Sequence, residues 1–251
     1  MAKKNTNYPY LYNMDDPKKH LASLILDYLH RSTMHHAMWL AELVHQYGRE
    51  KAWEIMDEAW TKSRDLQLKR LGKVLDFELD EGLPGPLLDL PDEKLEKLKE
   101  AVAVNWLAND GIWFQAVEFS RGMTDAKRVN DSCWAQFSPF EAMSIKRMLG
   151  MEEHPGLEGL KNALQYRLYA AVNKQSITEE KENSFVFQMN DCRVQSARKR
   201  RGLDDYPCKS GGLIEYTSFA ETIDSRIKTE CIACPPDPHP EEYYCGWRFF
   251  I

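Results

Sequence analysis

Apolar side chains recur at helical spacing through the first third of the chain. Leu21 and Leu24, for example, lie three positions apart in a run where charged and polar residues fill the intervening positions. This period predicts an amphipathic helix over residues 17–47. Gly48 favours a stop, and further apolar positions in a strongly charged background predict a second helix over residues 49–79.

The helical pattern breaks at residues 82–91, where four of the first five residues are Gly or Pro. These residue types interrupt regular helix, so we predict a linker at this point. The linker would separate an N-terminal helical region, residues 1–81, from a second domain, residues 92–251.

The second domain begins with a short predicted helix over residues 91–107. Residues 112–119 are then rich in aromatic and large apolar types, and with residues 124–134 they predict a β-hairpin that turns at residues 120–123. A buried helix is the alternative for the same apolar run, because periodicity alone does not separate the two structures.

Helical and strand-like patterns interleave through the rest of the chain. Ser138, followed by Pro139 and Glu141, predicts the start of a helix. The later predictions are helix over residues 156–175, strand over 184–189, basic helix over 193–202, helix over 212–224, and a last hairpin over 226–234 and 243–251. Strands that pair through hairpins between helices indicate an α+β fold, with an antiparallel sheet flanked by helices.

Composition narrows the class of protein. The chain has 251 residues, of which 43% are apolar, and this fraction excludes a disordered chain. The net charge of −6 argues against general affinity for nucleic acid, which needs a basic surface. No run approaches the roughly 18 apolar residues of a membrane helix, so we expect no membrane insertion. The first residues lack the apolar core of a signal peptide, and we expect a cytoplasmic protein.

Six cysteines are the most informative feature of the composition. Cys208, Cys231, Cys234 and Cys245 follow the spacing C-x22-C-x2-C-x10-C near the end of the chain. Tetrahedral zinc commonly takes two thiolates from a Cys-x-x-Cys turn and two from elsewhere, so this set favours Zn²⁺. Iron or an iron–sulfur cluster, a redox pair and buried thiols are the alternatives, although Pro235 disfavours the redox motif because that motif opens a helix. Four ligands would make a closed structural site, whereas three would leave a position for water.

Two resemblances to known families extend these expectations. Residues 205–251, with Cys208 before a helix, the acidic Glu230 beside Cys-x-x-Cys and a last Cys245, resemble the 4-vinyl reductase-type small-molecule-binding domains. That resemblance implies a structural zinc beside a buried ligand pocket. Most of the chain resembles a family of uncharacterised prokaryotic cytosolic proteins related to L-2-amino-thiazoline-4-carboxylic acid hydrolases, through the strings NWL at 105–107, WFQAVE at 113–118, NDCR at 190–193 and CIACPPD at 231–237. This second resemblance implies a fold more firmly than a reaction.

Polar residues interrupt the most apolar part of the second domain. Gln115 and Glu118 lie within the apolar run of the predicted hairpin, and Lys127 lies on its return strand. Buried polar groups need partners, so these three side chains are expected to converge, either as a satisfied core pair or as a binding site. A desolvated Glu118 would have a raised pKa suited to a general base.

Two Asn-Asp pairs follow predicted strands. Asn130 precedes Asp131, and Asn190 precedes Asp191, each pair with a cysteine close behind. Ordinary turn chemistry is one explanation for both pairs. The functional alternative places these side chains at one end of the sheet, around a pocket.

The leading functional hypothesis is a cytosolic zinc-containing hydrolase of a small heterocyclic or amide-type substrate. The candidate general bases are Glu118, Asp131 and Asp191, and Arg193 or Lys127 would hold a substrate carboxylate. The full set of candidate substrate-binding residues is Gln115, Lys127, Asn130, Asn190 and Arg193. The alternatives are a non-catalytic binding module or sensor that uses the same pocket, and an assembly protein, for example a homodimer, that docks through its N-terminal helices.

Overall fold

The computed structural model describes residues 16–202 and 205–251. The chain divides into two compact units, one that ends at Asp89 and one from Leu90 to Ile251. The division falls inside the segment for which the sequence predicts a linker.

The N-terminal unit is built on two long helices, α1 (Pro17–Tyr47) and α2 (Arg49–Leu75). The carboxylate of Asp16 caps α1 by accepting from the backbone N–H groups of Lys18 and Lys19, both at 3.1 Å. Gly48 joins the helices with a φ of 79°, a conformation that glycine adopts without strain. The two helices confirm the sequence prediction. Short elements complete the unit: β1 (Leu79–Asp80), β2 (Leu83–Pro84) and α3 (Gly85–Leu88).

The C-terminal unit begins with a helical hairpin, α4 (Asp92–Arg121) and α5 (Met123–Met148). The predicted β-hairpin is therefore wrong, because residues 112–119 and 124–134 are both helical. The predicted turn is nevertheless present, since Gly122 has a φ of 94° between the two helices. The aromatic residues of the first segment favoured strand locally, but they continue the helical period of α4.

Ser138 does not start a helix, contrary to the prediction. It lies inside α5, fully buried, and its hydroxyl donates to the backbone carbonyl of Glu215 at 2.6 Å. The Ser138 hydroxyl therefore does not cap a helix but forms a buried hydrogen bond between α5 and a later helix.

Two elements follow α5 before the sheet begins. Helix α6 spans Gly156–Leu164, and a 3-10 turn follows at Leu168–Ala171. The predicted helix over residues 156–175 is thus correct only in its first half, and the next strand was not predicted.

A four-stranded antiparallel sheet forms the other half of the C-terminal unit. Its strands are β3 (Lys174–Lys181), β4 (Ser184–Asp191), β5 (Lys228–Ala233) and β6 (Cys245–Phe250), in the order β3-β4-β6-β5. The last hairpin and the strand at 184–189 confirm the sequence predictions. Helices α7 (Arg193–Arg200) and α8 (Lys209–Ile223) lie between β4 and β5 in the chain.

The core of this unit lies between α8 and the sheet. Phe187 of β4 is the register partner of Trp247 of β6, and Phe219 of α8 is fully buried with them. Helix α5 packs on α8. The fold is therefore α+β, with an antiparallel sheet flanked by helices, as the sequence predicts. Within the described residues, no helix has the combination of length and apolar character that a bilayer crossing requires.

Candidate ligand cavity and cysteine cluster

A cavity of about 510 Å³ lies in the C-terminal unit, between α4, α5, α7, α8 and the ends of β4 and β6. Its walls are largely aromatic. The rings of Trp134 and Tyr169 stack at 5.7 Å with an interplanar angle of 10°, and those of Tyr216 and Trp247 stack at 4.7 Å and 25°. Such pairs form rigid walls, because each ring holds its neighbour in place.

Helix α4 contributes one continuous stripe to the cavity wall. Leu107, Gly111, Phe114, Gln115 and Glu118 all line it. Their spacing of three and four places them on one face of the helix. Gln115 and Glu118 lie at the C-terminal end of this set, so α4 gives the cavity a polar region beside the aromatic one.

Lys127 of α5 has the most unusual environment in the cavity. Its side chain is 14% exposed, and its Nζ lies 3.0 Å from Oδ1 of Asp131 and 4.8 Å from the centre of the Tyr206 ring. The first distance is that of an ion pair, but the atoms are not oriented as a hydrogen bond. Among the described residues, neither the Lys127 Nζ nor the Asp131 Oδ1 has a hydrogen-bond partner. A buried ammonium with unused donors is costly, so this group is suited to an additional acceptor.

Gly211 of α8 leaves the space beside this ammonium open. A Cβ at this position would lie 3.0 Å from Oδ1 of Asp131 and 3.6 Å from Nζ of Lys127. A larger residue would therefore press on the ion pair.

Asp110 is a cavity residue that sequence reasoning missed. Burial raises the pKa of its carboxyl, and the charge of Lys127 opposes that shift. A carboxyl with a raised pKa in a cavity is a candidate proton donor or acceptor. The signal was present in the sequence, since Asp110 precedes Phe114 and Glu118 at intervals of four, but it becomes visible only when this segment is treated as a helix.

Most of the predicted site residues lie along the cavity. These are Gln115, Glu118, Lys127, Asn130 and Arg193, and Asp131 contacts Lys127 from just outside the lining. The premise for Asn130 and Asp131 is wrong, because they lie in the middle of α5 and not after a strand.

The structure does not place the second Asn-Asp pair at the cavity. Asn190 donates from Nδ2 to the carbonyl of Glu242 at 3.5 Å, and the exposed Asp191 accepts from the Ser196 hydroxyl at 2.7 Å. Neither residue belongs to the cavity lining. Both side chains form hydrogen bonds at the end of β4, which agrees with the turn-chemistry alternative.

Cysteines gather at the sheet end of the cavity. Cys192, Cys208, Cys234 and Cys245 line it, and all six cysteines of the chain are free thiols. Burial, opposed by two backbone N–H groups that favour the thiolate, raises the pKa of Cys192 to about 11. The Cys192 thiol is therefore protonated in the absence of a metal ion.

Cys234 lies at the centre of the predicted metal set. It is fully buried, and a hydrogen bond with Cys245, burial and the nearby Cys208 and Cys231 together raise its pKa far above the ordinary thiol value. A metal ion would instead favour the ionised form of Cys234, because it binds and stabilises the thiolate.

The backbone ties the two ends of the cysteine set together. The N–H of Lys209, directly after Cys208, donates to the carbonyl of Pro235, directly after Cys234, at 2.8 Å. Gln195 donates from Nε2 to the Cys208 sulfur at 3.2 Å. Even so, in residues 16–202 and 205–251 no group of three or more His, Cys, Asp or Glu side chains is arranged to hold a metal ion. The zinc assignment therefore remains a prediction.

A buried ionic network supports one wall of the cavity. Arg167 is buried and donates from Nε to Glu141 Oε2 at 2.9 Å and from Nη2 to Glu215 Oε1 at 2.6 Å. Burial is the main cause of the raised pKa of Glu215, which Arg167 opposes. No local sequence pattern indicates this network, because Arg167 is 26 positions from Glu141 and 48 positions from Glu215.

A comparison with protein-family models finds one match, described as "Family of unknown function (DUF6125)", over residues 88–251. The chain belongs to this family. The match spans the whole C-terminal unit, including the cavity and the cysteines. No curated protein and no solved structure matches the chain.

Proposed function

We propose that residues 90–251 form a module that binds a small molecule in the cavity. The observation that carries this proposal is the lining itself, with stacked aromatic walls and a few polar side chains from α4 and α5. Small-molecule sites typically have volumes of roughly 300–1,000 Å³ and the same mixture of apolar wall and sparse polar groups.

The binding proposal predicts that blocking the cavity abolishes binding. The full chain would be titrated calorimetrically with 2-naphthamide, a neutral bicyclic aromatic probe. Ala108 lines the cavity, whereas Ala116 lies on the exposed part of the same helix outside the lining. Ala108→Trp should weaken binding at least tenfold, and the matched control Ala116→Trp should not change it. Equal effects of the two variants would contradict the proposal.

Zinc held by Cys208, Cys231, Cys234 and Cys245 is part of the same proposal, with iron or an iron–sulfur cluster as the alternative. The thiol–thiol hydrogen bond and the mutual pKa effects around Cys234 support it. Four thiolates would make a closed structural site, which would fasten the last hairpin to the start of α8. The free state of all six thiols also supports our proposal of a cytoplasmic location, where thiols are kept reduced.

Elemental analysis tests the metal proposal directly. Purified protein should contain about one zinc per chain, as a tetrahedral Cys₄ site requires. Cys234→Ser should lose the metal, and Cys133→Ser, in the middle of α5, should keep it. Protein without metal but with four titratable thiols in this set would refute the assignment, and iron in place of zinc would identify the alternative.

Hydrolysis of the bound ligand is a second candidate function, favoured by Asp110 and Glu118 on the cavity wall. In this version one carboxylate removes a proton from water as the water attacks an amide-type carbon. Incubation with 2-naphthamide would then release ammonium and 2-naphthoate. Asp110→Asn should remove this release but leave binding of the amide intact. Ammonium release by the variant at the wild-type rate would exclude Asp110 from the reaction.

Assembly through the N-terminal helices is a further proposal, which concerns the other unit. Helix α1 has no buried residue over its 31 positions, and large apolar side chains such as Leu29 and Trp39 are exposed. Exposed apolar surface of this extent favours association, and we propose a second copy of the chain as the partner. Light scattering should show a dimer that Leu29→Glu with Trp39→Glu dissociates. A monomeric wild type would refute it.

A further inference from the structure

We propose that the ligand of the cavity is an apolar monocarboxylate, such as an aromatic acid, whose carboxylate binds the Lys127 ammonium. This inference depends on the binding function proposed above and specifies the class of ligand. It selects Lys127, and not Arg193, as the group that holds the carboxylate.

The buried ammonium is the first argument. A lysine ammonium has three donors, and the Lys127 Nζ has no hydrogen-bond partner among the described residues. Asp131 supplies charge at 3.0 Å but not a well-directed acceptor. A ligand oxygen in the cavity would satisfy a donor that the protein leaves unused, and an ionised oxygen does so most strongly. Arg193 is exposed at the start of α7, so its guanidinium is open to solvent and not buried without a partner.

The neighbouring groups favour a carboxylate head. Gln115 and Asn130 line the same cavity and carry side-chain N–H groups that can bind a second oxygen. Three guanidinium groups, at residues 193, 198 and 201, line the cavity from the side of α7 and from the turn that follows it, although the chain as a whole has a net charge of −6. These guanidinium groups place positive charge on the α7 side of the cavity, which suits a small anion.

The acidic neighbours limit the charge of that anion to one. Asp110 and Glu118 line the cavity, and Asp131 already pairs with the single buried ammonium among the described lining residues. A dianionic phosphate monoester would meet carboxylates at close range without a second buried cation to offset them. A monocarboxylate introduces half of that charge.

The rest of the ligand must be apolar to match the wall. The Tyr206 ring covers the Lys127 ammonium, and Phe114 meets that ring edge-on at 5.2 Å with an interplanar angle of 81°. An aromatic body attached to the carboxylate would extend from this pair toward the stacked rings deeper in the cavity.

Three ligands with the same naphthalene ring distinguish the monocarboxylate proposal from the binding function on which it depends. Calorimetric titration of the full chain would compare 2-naphthoate, 2-naphthamide and 2-naphthyl phosphate. We expect the carboxylate to bind at least tenfold more tightly than either the amide or the phosphate. Binding of the amide and the carboxylate with equal affinity would overturn the monocarboxylate inference while leaving the binding function intact. Failure of all three probes to bind would refute the binding function.

Variants on α5 then test the role of Lys127. Lys127→Met should abolish the preference for carboxylate and change the affinity for the amide less than twofold. Lys127→Gln, which keeps a donor without the charge, should do the same and serves if the first variant does not fold. Arg128→Met removes an adjacent exposed charge, ion-paired with Asp125, and should leave the preference unchanged. A preference that survives loss of the Lys127 charge would refute the assignment.

Discussion

Removal of Arg167 should destabilise the C-terminal unit strongly. Its side chain is 2% exposed and binds two carboxylates at once, those of Glu141 and Glu215. Removing one partner of a buried ion pair costs about 3–5 kcal/mol, because the remaining charge is buried without compensation. Arg167→Met keeps most of the side-chain volume, so we expect a loss of about 3–5 kcal/mol at pH 7 from the charge effect.

The stability lost in Arg167→Met should depend on pH. Burial raises the pKa of Glu215 even with Arg167 present, and removing the guanidinium raises it further. A carboxyl whose folded-state pKa is raised gives up stability as the pH rises through that pKa. The deficit of Arg167→Met relative to wild type should therefore shrink as the pH falls from 7 and Glu215 takes up a proton.

Urea unfolding followed by near-ultraviolet circular dichroism measures this effect, because Trp134 and Trp247 are buried in the same unit. Arg128→Met, which breaks only the exposed pair with Asp125, should unfold with the wild type. Neutralising both carboxylates in the Arg167→Met background should restore much of the lost stability. A deficit below about 1 kcal/mol, or one that is equal at pH 5 and pH 7, would refute the reasoning.

Two further predictions concern packing and acid stability. Gly212→Ala would place a Cβ 2.7 Å from Cζ2 of the buried Trp247, so urea unfolding should show a loss of about 1–3 kcal/mol. Gly111→Ala, with no atom within 4 Å of its Cβ, should be neutral or stabilising; equal stability of the two variants would contradict this packing. Hydrogen bonds from Arg226 hold the pKa of Asp224 well below its usual range, so that stabilisation exists above the ordinary aspartate pKa and is lost as the pH falls. Asp224→Asn should therefore unfold less steeply in acid by circular dichroism, and an unchanged acid transition would count against this role.

The fold class followed from periodicity where each segment has one buried face. Strand β4 shows this in part, since Phe185 and Phe187 belong to the core cluster at alternate positions, although Val186 between them is buried as well. The strand at residues 174–181 escaped prediction for the opposite reason. Ile177 is its single apolar residue and is only partly buried against the core, so the segment has no alternating apolar pattern.

The candidate site residues could be predicted because a reversal of the chain brings the residues on either side of it together. This happens whether the flanking elements are strands or helices. Gln115 and Lys127 lie on either side of Gly122, where the chain reverses direction. A β-hairpin and a helical hairpin both bring such residues together, so an incorrect element still gave a correct group of cavity residues. Arg167, by contrast, meets its partners through contacts distant in sequence, and no local pattern encodes them.

The first turn of α8 separates the two chemical regions of the cavity. Gly211 faces the Lys127 and Asp131 pair, while the next residue, Gly212, faces Trp247 and has the Cys234 sulfur 3.7 Å from the position of its Cβ. Two adjacent residues without side chains thus let the helix approach the ion pair on one side and the cysteine cluster on the other. The start of α8 therefore packs against both groups, so a metal bound by the cysteines would also restrain the position that we propose for the ligand carboxylate.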